Sequence, residues 1–378
     1  MTNRKTKIIK KAIATHFRKH VALEKLVLEE IAELEMLRNL KSDSRSRKKS
    51  ELTFIENVGA VEIFSMLEAE TNFNKAPEIY GEDRTRYAKS LLTEIAKDGN
   101  RKNLAGPPMV EALRDLHRDF PNFSEAIDQI ECAVALSHLA DKSWFQMQPI
   151  LLLGPAGVGK TAFAQRFAST LGVYFRRIDV GTMSTASVLT GLSLGWGSGH
   201  LGEILKTITS SPTANPMIML DEIDKMAGHY MAPLEPVMLS LLEKESAATF
   251  RDEALLLRVN CKHILWIATA NDLEKLSEPM RSRFNIVNVQ SPSKEQVPNI
   301  FRSIYRKILQ NNPWGHKFEA VLNEKVIERL SMYSPRHASN LLLLALGKAA
   351  VSGNTAINPD DIPLDDSGEP KRMRMGFL

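Results

Sequence analysis

The strongest constraint in the sequence is a glycine-rich segment, Gly154–Thr161, in which a lysine and a threonine follow the last glycine. It comes directly after the short apolar run Pro149–Leu153 and directly before a stretch with helical periodicity. The spacing matches G-x-x-x-x-G-K-[ST], a pattern that requires a strand before it and a helix after it. The sequence therefore predicts a loop that wraps around phosphate groups at the start of a helix.

The residue types of this loop indicate which ligand it binds. Its glycines allow successive backbone N–H groups to converge on one point, which favours bound phosphate. Lys160 is expected to contact the β- and γ-phosphates of a nucleotide, and the Thr161 hydroxyl to bind Mg²⁺. We therefore predict ATP and Mg²⁺ as cofactors. The predicted nucleotide-binding residues are Gly154, Pro155, Ala156, Gly157, Val158, Gly159, Lys160, Thr161 and Asp221.

A second apolar segment, Met217–Leu220, ends in the acidic pair Asp221 and Glu222. In sheets of parallel strands, ligands collect at the carboxyl ends of the strands. Asp221 is therefore predicted to bind Mg²⁺ together with Thr161, and Glu222 to act as the general base on the attacking water. Two surface acids are the alternative, but the position after an apolar strand downstream of the loop favours catalysis.

Strands and helices alternate in the middle of the chain, which predicts a parallel sheet covered on both faces. The fold class is expected to be α/β: a three-layer P-loop NTPase core, a C-terminal α-helical lid and an N-terminal helical region. Strands are predicted at 149–153, 174–179, 216–220, 263–269 and 285–289. Helices are predicted at 160–171, 200–209, 233–245 and 295–310, with further helices on both sides of this region.

Five domains or segments follow from these patterns. They are a basic helix and linker over 1–50, a helical N-terminal region over 51–108, the α/β core over 109–292, the helical lid over 293–362 and a tail over 363–378. Within the N-terminal region, 51–70 and 84–97 are predicted to be helical.

Charge is distributed unevenly along the 378 residues. The net charge is +4, but residues 1–50 carry 14 Lys/Arg and 6 Asp/Glu, so that this segment is at +8 and the remainder at −4. A basic arm is suited to nucleic acid or to an acidic partner. A solvated helix and linker is the alternative, and the sequence leaves both open.

Several classes of protein are not expected. The apolar runs are far shorter than the roughly 20 residues that a membrane span needs, and the polar start of the chain does not resemble a signal peptide. We therefore expect no membrane association and a cytoplasmic location. The two cysteines, Cys132 and Cys261, lack metal-ligand spacing and are interpreted as reduced core thiols.

The order of these parts resembles the AAA+ superfamily, and most closely the ATPase module of Lon proteases, over about residues 120–355. The matching stretches are Gly154–Thr161, Phe175–Gly181, Met219–Met226, Leu241–Glu245, Thr249–Asp252 and Ile267–Asn271. The chain ends at Leu378, soon after the predicted lid, which leaves no room for a Ser–Lys protease domain. Peptidase activity in this polypeptide is therefore not expected.

The resemblance implies roles for three further residues. Asn271, at the tip of a predicted strand, matches the sensor-1 residue that contacts the attacking water or the γ-phosphate. Arg283 matches the arginine finger that acts on the neighbouring subunit, with Arg281 as the second choice. Arg336 matches the sensor-2 arginine of the lid. Phosphoryl transfer depends on stabilising negative charge, which a guanidinium does well. A homo-oligomeric ring is implied, with a hexamer expected.

Trp196, flanked by glycines, lies where the ATPase module of Lon proteases carries its central pore loop. A tryptophan folded onto the domain surface is the alternative. The leading functional hypothesis is an ATP-driven ring that remodels or translocates a protein substrate or partner. A nucleic-acid-associated AAA+ ATPase that uses residues 1–50, and a nucleotide-gated scaffold for an effector protein, remain alternatives.

Overall fold

A computed structural model of the protein describes residues 56–57, 60–139, 144–183, 185–195, 197–228 and 234–362. All of them fall within the unit Phe54–Leu378. Three predicted features lie outside the described residues: the basic helix and linker over 1–50, Trp196 and the tail over 363–378. These three stay predictions.

Short strands in the described residues form three sheets. The strands are β1 (Glu56–Asn57), β2 (Ala60–Glu62), β3 (Arg101–Asn103), β4 (Ile150–Leu153), β5 (Phe175–Asp179), β6 (Met217–Asp221), β7 (Phe250–Asp252), β8 (Leu257–Val259), β9 (Leu265–Ala270) and β10 (Asn285–Asn288). The central sheet is parallel, with the spatial order β10-β4-β9-β6-β5. β6 and β9 are buried along their whole length, which explains why both are continuous apolar runs. The five strands predicted from the sequence are confirmed.

Helices cover both faces of the central sheet. The helices are α1 (Met66–Asn74), α2 (Ala76–Tyr80), α3 (Glu82–Ala96), α4 (Val110–Asp119), α5 (Ser124–Leu139), α6 (Lys160–Leu171), α7 (Ser187–Thr190), α8 (Glu203–Ser210), α9 (Leu234–Leu242), α10 (Lys244–Ala247), α11 (Glu278–Arg281), α12 (Val297–Asn311), α13 (Glu324–Leu330) and α14 (Pro335–Val351). One apolar core contains α4, α5 and α6 and another contains α8 and α9, so the sheet lies between two helical layers.

Helix α6 shows how the local sequence sets an element that the site depends on. Phe163, Phe167 and Leu171 recur every four residues and are buried on the face toward the sheet. Gly172 ends the helix in a left-handed conformation with φ 66°, which a side chain would disfavour. The helix therefore runs rigidly from the glycine-rich loop into the core.

The C-terminal helices α12, α13 and α14 form a separate apolar core. Its centre is made by Phe301, Leu330 and Leu342, each of which is fully buried. Helix α14 begins after Ser334, whose hydroxyl accepts a hydrogen bond from the backbone N–H of His337 and so caps the helix. The small helical lid predicted from the sequence is present.

The N-terminal region contains strands that the sequence analysis misses. Strands β1, β2 and β3 form an antiparallel sheet, so the helix predicted over 51–70 is wrong for residues 56–57 and 60–62 and correct from Met66. Two or three residues are too few to show a period of their own. Phe64 makes a bridge to Val259, a pairing across almost 200 residues of chain that no local pattern contains.

A hairpin of β7 and β8 joins the N-terminal region to the core. Glu68 accepts hydrogen bonds from the backbone N–H and the Nε of Arg258, and Asn72 donates to the carbonyl of Leu255 at 2.9 Å. The buried residues of the N-terminal region belong to the same apolar core as helices α8 and α9. The N-terminal region is therefore packed against one face of the sheet.

The two cysteines differ in their surroundings. Cys261 is buried, and burial raises the pKa of its thiol well above the usual value, as expected for a core thiol. Cys132 is exposed, so the prediction of a core position is wrong for that residue. None of the described helices is both long enough and apolar enough to cross a membrane.

Candidate functional site

The glycine-rich loop connects β4 to α6 at the carboxyl edge of the central sheet. Gly157 and Gly159 have φ of 85° and 104°, conformations that residues with a side chain rarely adopt. At Gly154, a Cβ atom would lie 2.1 Å from the carbonyl oxygen of Val289, so only glycine fits there. These glycines allow the chain to curl tightly against the end of the sheet.

Lys160 lies inside the curl of this loop. Its ammonium group donates hydrogen bonds to the carbonyls of Gly154 and Pro155 and, at 2.9 Å, to Oδ1 of Asn271. Burial lowers the pKa of Lys160, while the nearby carboxylates of Asp221, Asp224 and Glu222 act in the opposite direction. These hydrogen bonds hold the positive charge where the loop opens, the position that a phosphate requires.

Asp221 ends strand β6 and is almost completely buried. The hydroxyl of Thr269, on the neighbouring strand β9, donates to its Oδ1. Its Oδ2 lies 3.4 Å from the Thr161 hydroxyl and 2.7 Å from Nη2 of Arg177. Carboxylate and hydroxyl oxygens are the ligands that Mg²⁺ prefers, so Thr161 and Asp221 fit the metal that the sequence predicts.

Glu222 follows Asp221 in an unusual backbone conformation. Its φ is 58°, and among the described non-glycine residues only Leu256, at 51°, also has a positive φ. Its backbone N–H donates to the Thr269 hydroxyl at 3.0 Å, and its Oε2 lies 2.6 Å from the ammonium of Lys225. The hydrogen bond from Lys225 to the Glu222 carboxylate raises the pKa of Lys225. A residue held in a strained conformation next to a ligand site is a common feature of catalytic centres.

Two further carboxylates lie beside this pair. Asp179 ends strand β5 directly next to Asp221, and Asp224 is located in the turn after Glu222. In the described part of the chain, Oδ1 of each is buried and has no hydrogen-bond partner. Buried acceptors of this kind are left free for donors that enter with a ligand, such as water molecules around a metal ion.

The lid reaches the glycine-rich loop from the other side. A Cβ atom on Gly157 would lie 3.8 Å from Oγ of Ser334 and 4.0 Å from Cβ of Arg336. The first turn of α14 is therefore next to the loop, and the Arg336 side chain is exposed there. The structure thus brings Lys160, Thr161, Asp221, Glu222, Asn271 and Arg336 to one edge of the sheet.

Arg283 is not part of this group. It is exposed, and its Nη2 lies 3.5 Å from Oε2 of Glu243. It precedes β10 at the amino edge of the sheet, whereas Val289, at the other end of β10, touches the glycine-rich loop. The four steps from Asn285 to Val289 span about 13 Å at the usual rise of a strand. Arg281 donates through Nε to the carbonyl of Leu276 and is partly buried.

A family of proteins matches the region that contains this arrangement. The ATPase family associated with various cellular activities, AAA, matches residues 150–291. These residues form an AAA domain. The match includes the glycine-rich loop, Asp221, Glu222, Asn271 and Arg283, while Arg336 lies beyond it in the lid. ATP hydrolysis is the activity that gives this family its name.

The AAA domain and its surroundings are similar to Lon proteases. The Lon protease of Mycoplasma mobile is 30% identical over 204 residues, which are 53% of this chain and 24% of that protein. The peroxisomal Lon protease homolog 2 of Pichia angusta is 36% identical over 143 residues, 37% of this chain and 15% of that protein. The chain thus spans a quarter or less of the length of these relatives. The resemblance to the ATPase region of Lon proteases is confirmed.

A solved structure agrees with the fold. A chain of the S. cerevisiae Hsp104:casein complex in its extended conformation has a TM-score of 0.52 and 15% sequence identity. The likeness covers 76% of this chain and 61% of that chain. At this identity the comparison concerns the fold alone. The predicted P-loop NTPase fold class is confirmed.

Two residues of the AAA domain are in the site without having been assigned a role from the sequence. Thr269 contacts both Asp221 and Glu222, and Arg177 contacts Asp221. Both belong to strands that were predicted correctly. Arg177 lies two residues before the end of β5, and Thr269 lies one residue before the end of β9. These positions could have indicated a place in the site, because neighbouring parallel strands end at the same edge of a sheet. Which side chain turns toward the site depends on the register of the strands.

Proposed function

We propose that this chain binds and hydrolyses ATP·Mg²⁺ in its AAA domain and uses the energy, as a member of an oligomeric ring, to remodel or translocate a protein. The observation that carries the proposal is the placement of Lys160, Asp221, Glu222 and Asn271 at one edge of the sheet. Lys160 is linked to Asn271, and Glu222 shares Thr269 with Asp221. Such an arrangement of a cation, acids and an amide suits phosphoryl transfer to water.

In this proposal the loop and Lys160 bind the triphosphate. The backbone N–H groups of the loop and the start of α6 attract the phosphate oxygens, and the ammonium of Lys160 neutralises part of their charge. Thr161 and Asp221 would hold Mg²⁺, which would draw negative charge from the phosphate oxygens when it is bound. The unpartnered oxygens of Asp179 and Asp224 are suited to accepting hydrogen bonds from metal-bound water.

Glu222 is the proposed general base. Its backbone is fixed by Thr269, while its side chain is about one-third exposed on the open side of the site. A carboxylate at that position can orient a water molecule and accept its proton. Asn271, at the end of strand β9 and hydrogen-bonded to Lys160, is proposed to contact the γ-phosphate or the attacking water. Arg336 is proposed to contact the nucleotide from the lid.

The ring is supported by the position of Arg283. This arginine is exposed at the amino edge of the sheet, opposite to the edge that holds its own glycine-rich loop. A guanidinium there is suited to act on a nucleotide bound to a neighbouring subunit, where it would stabilise charge in the transition state. We therefore propose a homo-oligomer, with a hexamer expected, in which the ATP sites lie between subunits.

A protein substrate is supported by two features. The relatives of the AAA region are proteases, whose substrates are polypeptides. In addition, Leu192 and His200 pair through their backbones on either side of the segment that contains Trp196. This pairing brings the two ends of that segment together. The proposed pore-loop role of Trp196 itself lies outside the described residues.

The central test is the Glu222→Gln variant. Because the amide cannot accept a proton, we expect ATP turnover to fall by about 10²-fold or more, while ATP binding persists. Steady-state phosphate release and equilibrium binding of a fluorescent ATP analogue measure the two quantities. Glu245→Gln, on the exposed face of α10, is the matched control and should hydrolyse ATP at the wild-type rate. Turnover within tenfold of wild type in Glu222→Gln would exclude the proposed base.

The same variant tests the protein substrate. Held in its ATP-bound state, Glu222→Gln should retain a labelled unfolded polypeptide, and adding ADP in place of ATP should release it. Size-exclusion chromatography with fluorescence detection measures both. If ATP binds normally and the polypeptide elutes separately under every condition, ATP hydrolysis would stand and the remodelling of proteins would not.

A further inference from the structure

Arg177 and its neighbour Arg176 point to opposite sides of strand β5. Because side chains alternate along a strand, one of them faces the site and the other faces away. Arg176 forms an ion pair with Glu203 at the start of α8. Arg177 instead reaches across to strand β6, where its Nη2 lies 2.7 Å from Oδ2 of Asp221. Of two adjacent arginines, only Arg177 therefore touches the proposed metal ligand.

The oxygen that Arg177 contacts is the one that faces Thr161. Oδ1 of Asp221 accepts a hydrogen bond from Thr269, which also accepts one from the backbone of Glu222. Oδ2 lies 3.4 Å from the Thr161 hydroxyl, which is the other proposed metal ligand. Thr161 and Oδ2 of Asp221 are therefore the atoms that would hold a metal ion together, and Oδ2 is also the oxygen that the guanidinium contacts.

The two partners differ in exposure. The Asp221 side chain is 8% exposed and that of Arg177 is 49% exposed. The carboxylate is thus fixed between strands β6 and β9, whereas the guanidinium is at the surface and can be solvated when it leaves. An exchange of partners at Oδ2 therefore needs movement of the arginine alone.

We propose that Arg177 is a positioning residue that holds Asp221 with Oδ2 toward Thr161 and competes with Mg²⁺ for that oxygen. Arg177 would release Oδ2 when Mg²⁺ is bound with ATP and would pair with Asp221 again in its absence. This inference rests on the proposed function, since it assumes that Thr161 and Asp221 bind the metal of the nucleotide. It makes the affinity of the site for Mg²⁺ dependent on a residue that belongs to neither the loop nor the acidic pair.

The test is the Mg²⁺ dependence of nucleotide binding by the full-length chain. A fluorescent ADP analogue is bound at increasing free Mg²⁺, and the half-saturating Mg²⁺ concentration is determined for each variant. Removal of the competing charge in Arg177→Gln should lower this concentration by at least about threefold, as the loss of a charge-assisted hydrogen bond to a partly exposed arginine predicts. Arg176→Gln is the matched control and should leave it within about twofold of wild type.

A second variant separates charge from side-chain size. Arg177→Lys keeps the positive charge, so its half-saturating Mg²⁺ concentration should stay within about twofold of wild type. A threefold decrease in Arg177→Lys as well, or an unchanged or higher value in Arg177→Gln, would overturn the competition. Circular dichroism of each variant establishes that it is folded. If the wild-type chain binds the analogue neither with nor without Mg²⁺, the proposed function fails, whereas normal binding with equal Mg²⁺ dependence in all variants removes the role of Arg177 alone.

Discussion

Single residues set the chemistry of this site through the space that they leave free. Gly154 lies so close to Val289 that a methyl group would overlap its carbonyl oxygen, and it donates its backbone N–H to the carbonyl of Ala270. The glycine therefore anchors the loop to strands β9 and β10 at the same time. This close approach places the start of the loop, and with it Lys160, against Asn271.

We expect Gly154→Ala to disrupt the loop. The added Cβ at 2.1 Å from the Val289 oxygen forces the backbone apart, which should destabilise the fold by about 1–3 kcal/mol and abolish nucleotide binding. Gly347→Ala is the matched control, because Gly347 lies within α14 with nothing within 4 Å of its Cβ position. It should be stabilised by about 0.5–1 kcal/mol. Urea denaturation and nucleotide titration give both results. Wild-type affinity in Gly154→Ala would contradict the tight contact.

At the scale of secondary-structure elements, a buried carboxylate connects the β7–β8 hairpin to the loop that contains Trp196. Asp252 ends β7, and its Oδ2 accepts a hydrogen bond at 2.9 Å from the backbone N–H of Gly202 at the start of α8. The next residue, Glu253, donates its backbone N–H to the carbonyl of Thr190. The hairpin therefore holds both ends of the segment 190–202. This contact gives the proposed substrate loop a rigid base.

Asp252 should make stability depend on pH. Burial raises its pKa to about 6, from a usual value of 3.8. Between pH 4 and pH 6, Asp252 therefore binds a proton in the folded protein and not in the unfolded chain. The protonated Asp252 thus contributes to stability below about pH 4, and this contribution is lost as the pH rises through 6. The difference of roughly two pKa units corresponds to about 3 kcal/mol.

The Asp252→Asn variant isolates this contribution, because asparagine does not titrate. The NH₂ group of the new side chain would face one of the backbone N–H groups from which Asp252 accepts a hydrogen bond. The variant should therefore be less stable than wild type by about 1–3 kcal/mol at pH 7. The difference in unfolding free energy between wild type and Asp252→Asn should be larger at pH 4.5 than at pH 7. Urea unfolding at the two pH values measures it, and a gap that is constant or grows with pH would contradict the raised pKa.

For the whole molecule, the proposed catalytic residues are divided between the two edges of the central sheet. Lys160, Asp221 and Glu222 lie at the carboxyl edge, and Arg283 lies at the amino edge, where it is paired with Glu243 on the surface. A single chain thus has a proposed nucleotide site and, at the opposite edge, an arginine suited to the site of another subunit. This division is what a closed ring of identical subunits can use.

Mixing two inactive variants tests this division. Arg283→Ala should bind ATP normally and lose at least about 10²-fold in turnover, since an arginine finger contributes strongly to phosphoryl transfer. Combined with Glu222→Gln, it should regain part of the wild-type turnover, because each variant supplies the residue that the other lacks. Phosphate release by the mixture measures the recovery. If both variants assemble together and turnover stays at the level of the separate variants, Arg283 does not act between subunits. Loss of turnover in Arg281→Ala with none in Arg283→Ala would transfer the role to Arg281.

Much of the fold and site was predictable from local patterns. Strands β4, β6 and β9 are apolar runs because they are buried on both faces, and the loop is recognisable because its glycines and lysine have fixed spacing. The strands β1, β2 and β3 and the hairpin of β7 and β8 were not predictable, because each is only two or three residues long. Their stability comes from partners far away in the chain, as the bridge between Phe64 and Val259 shows.

Amino-acid order alone was sufficient to locate the glycine-rich loop, the acidic pair and the strand tip at Asn271, because each depends on residue types at short spacing. The contacts of Arg177 and Thr269 with Asp221 follow instead from the order and register of strands β5, β6 and β9. Hydrogen bonding between strands sets that register, and it joins residues that are separated by dozens of positions. Which of two adjacent arginines meets the proposed metal ligand is therefore a property of the folded sheet.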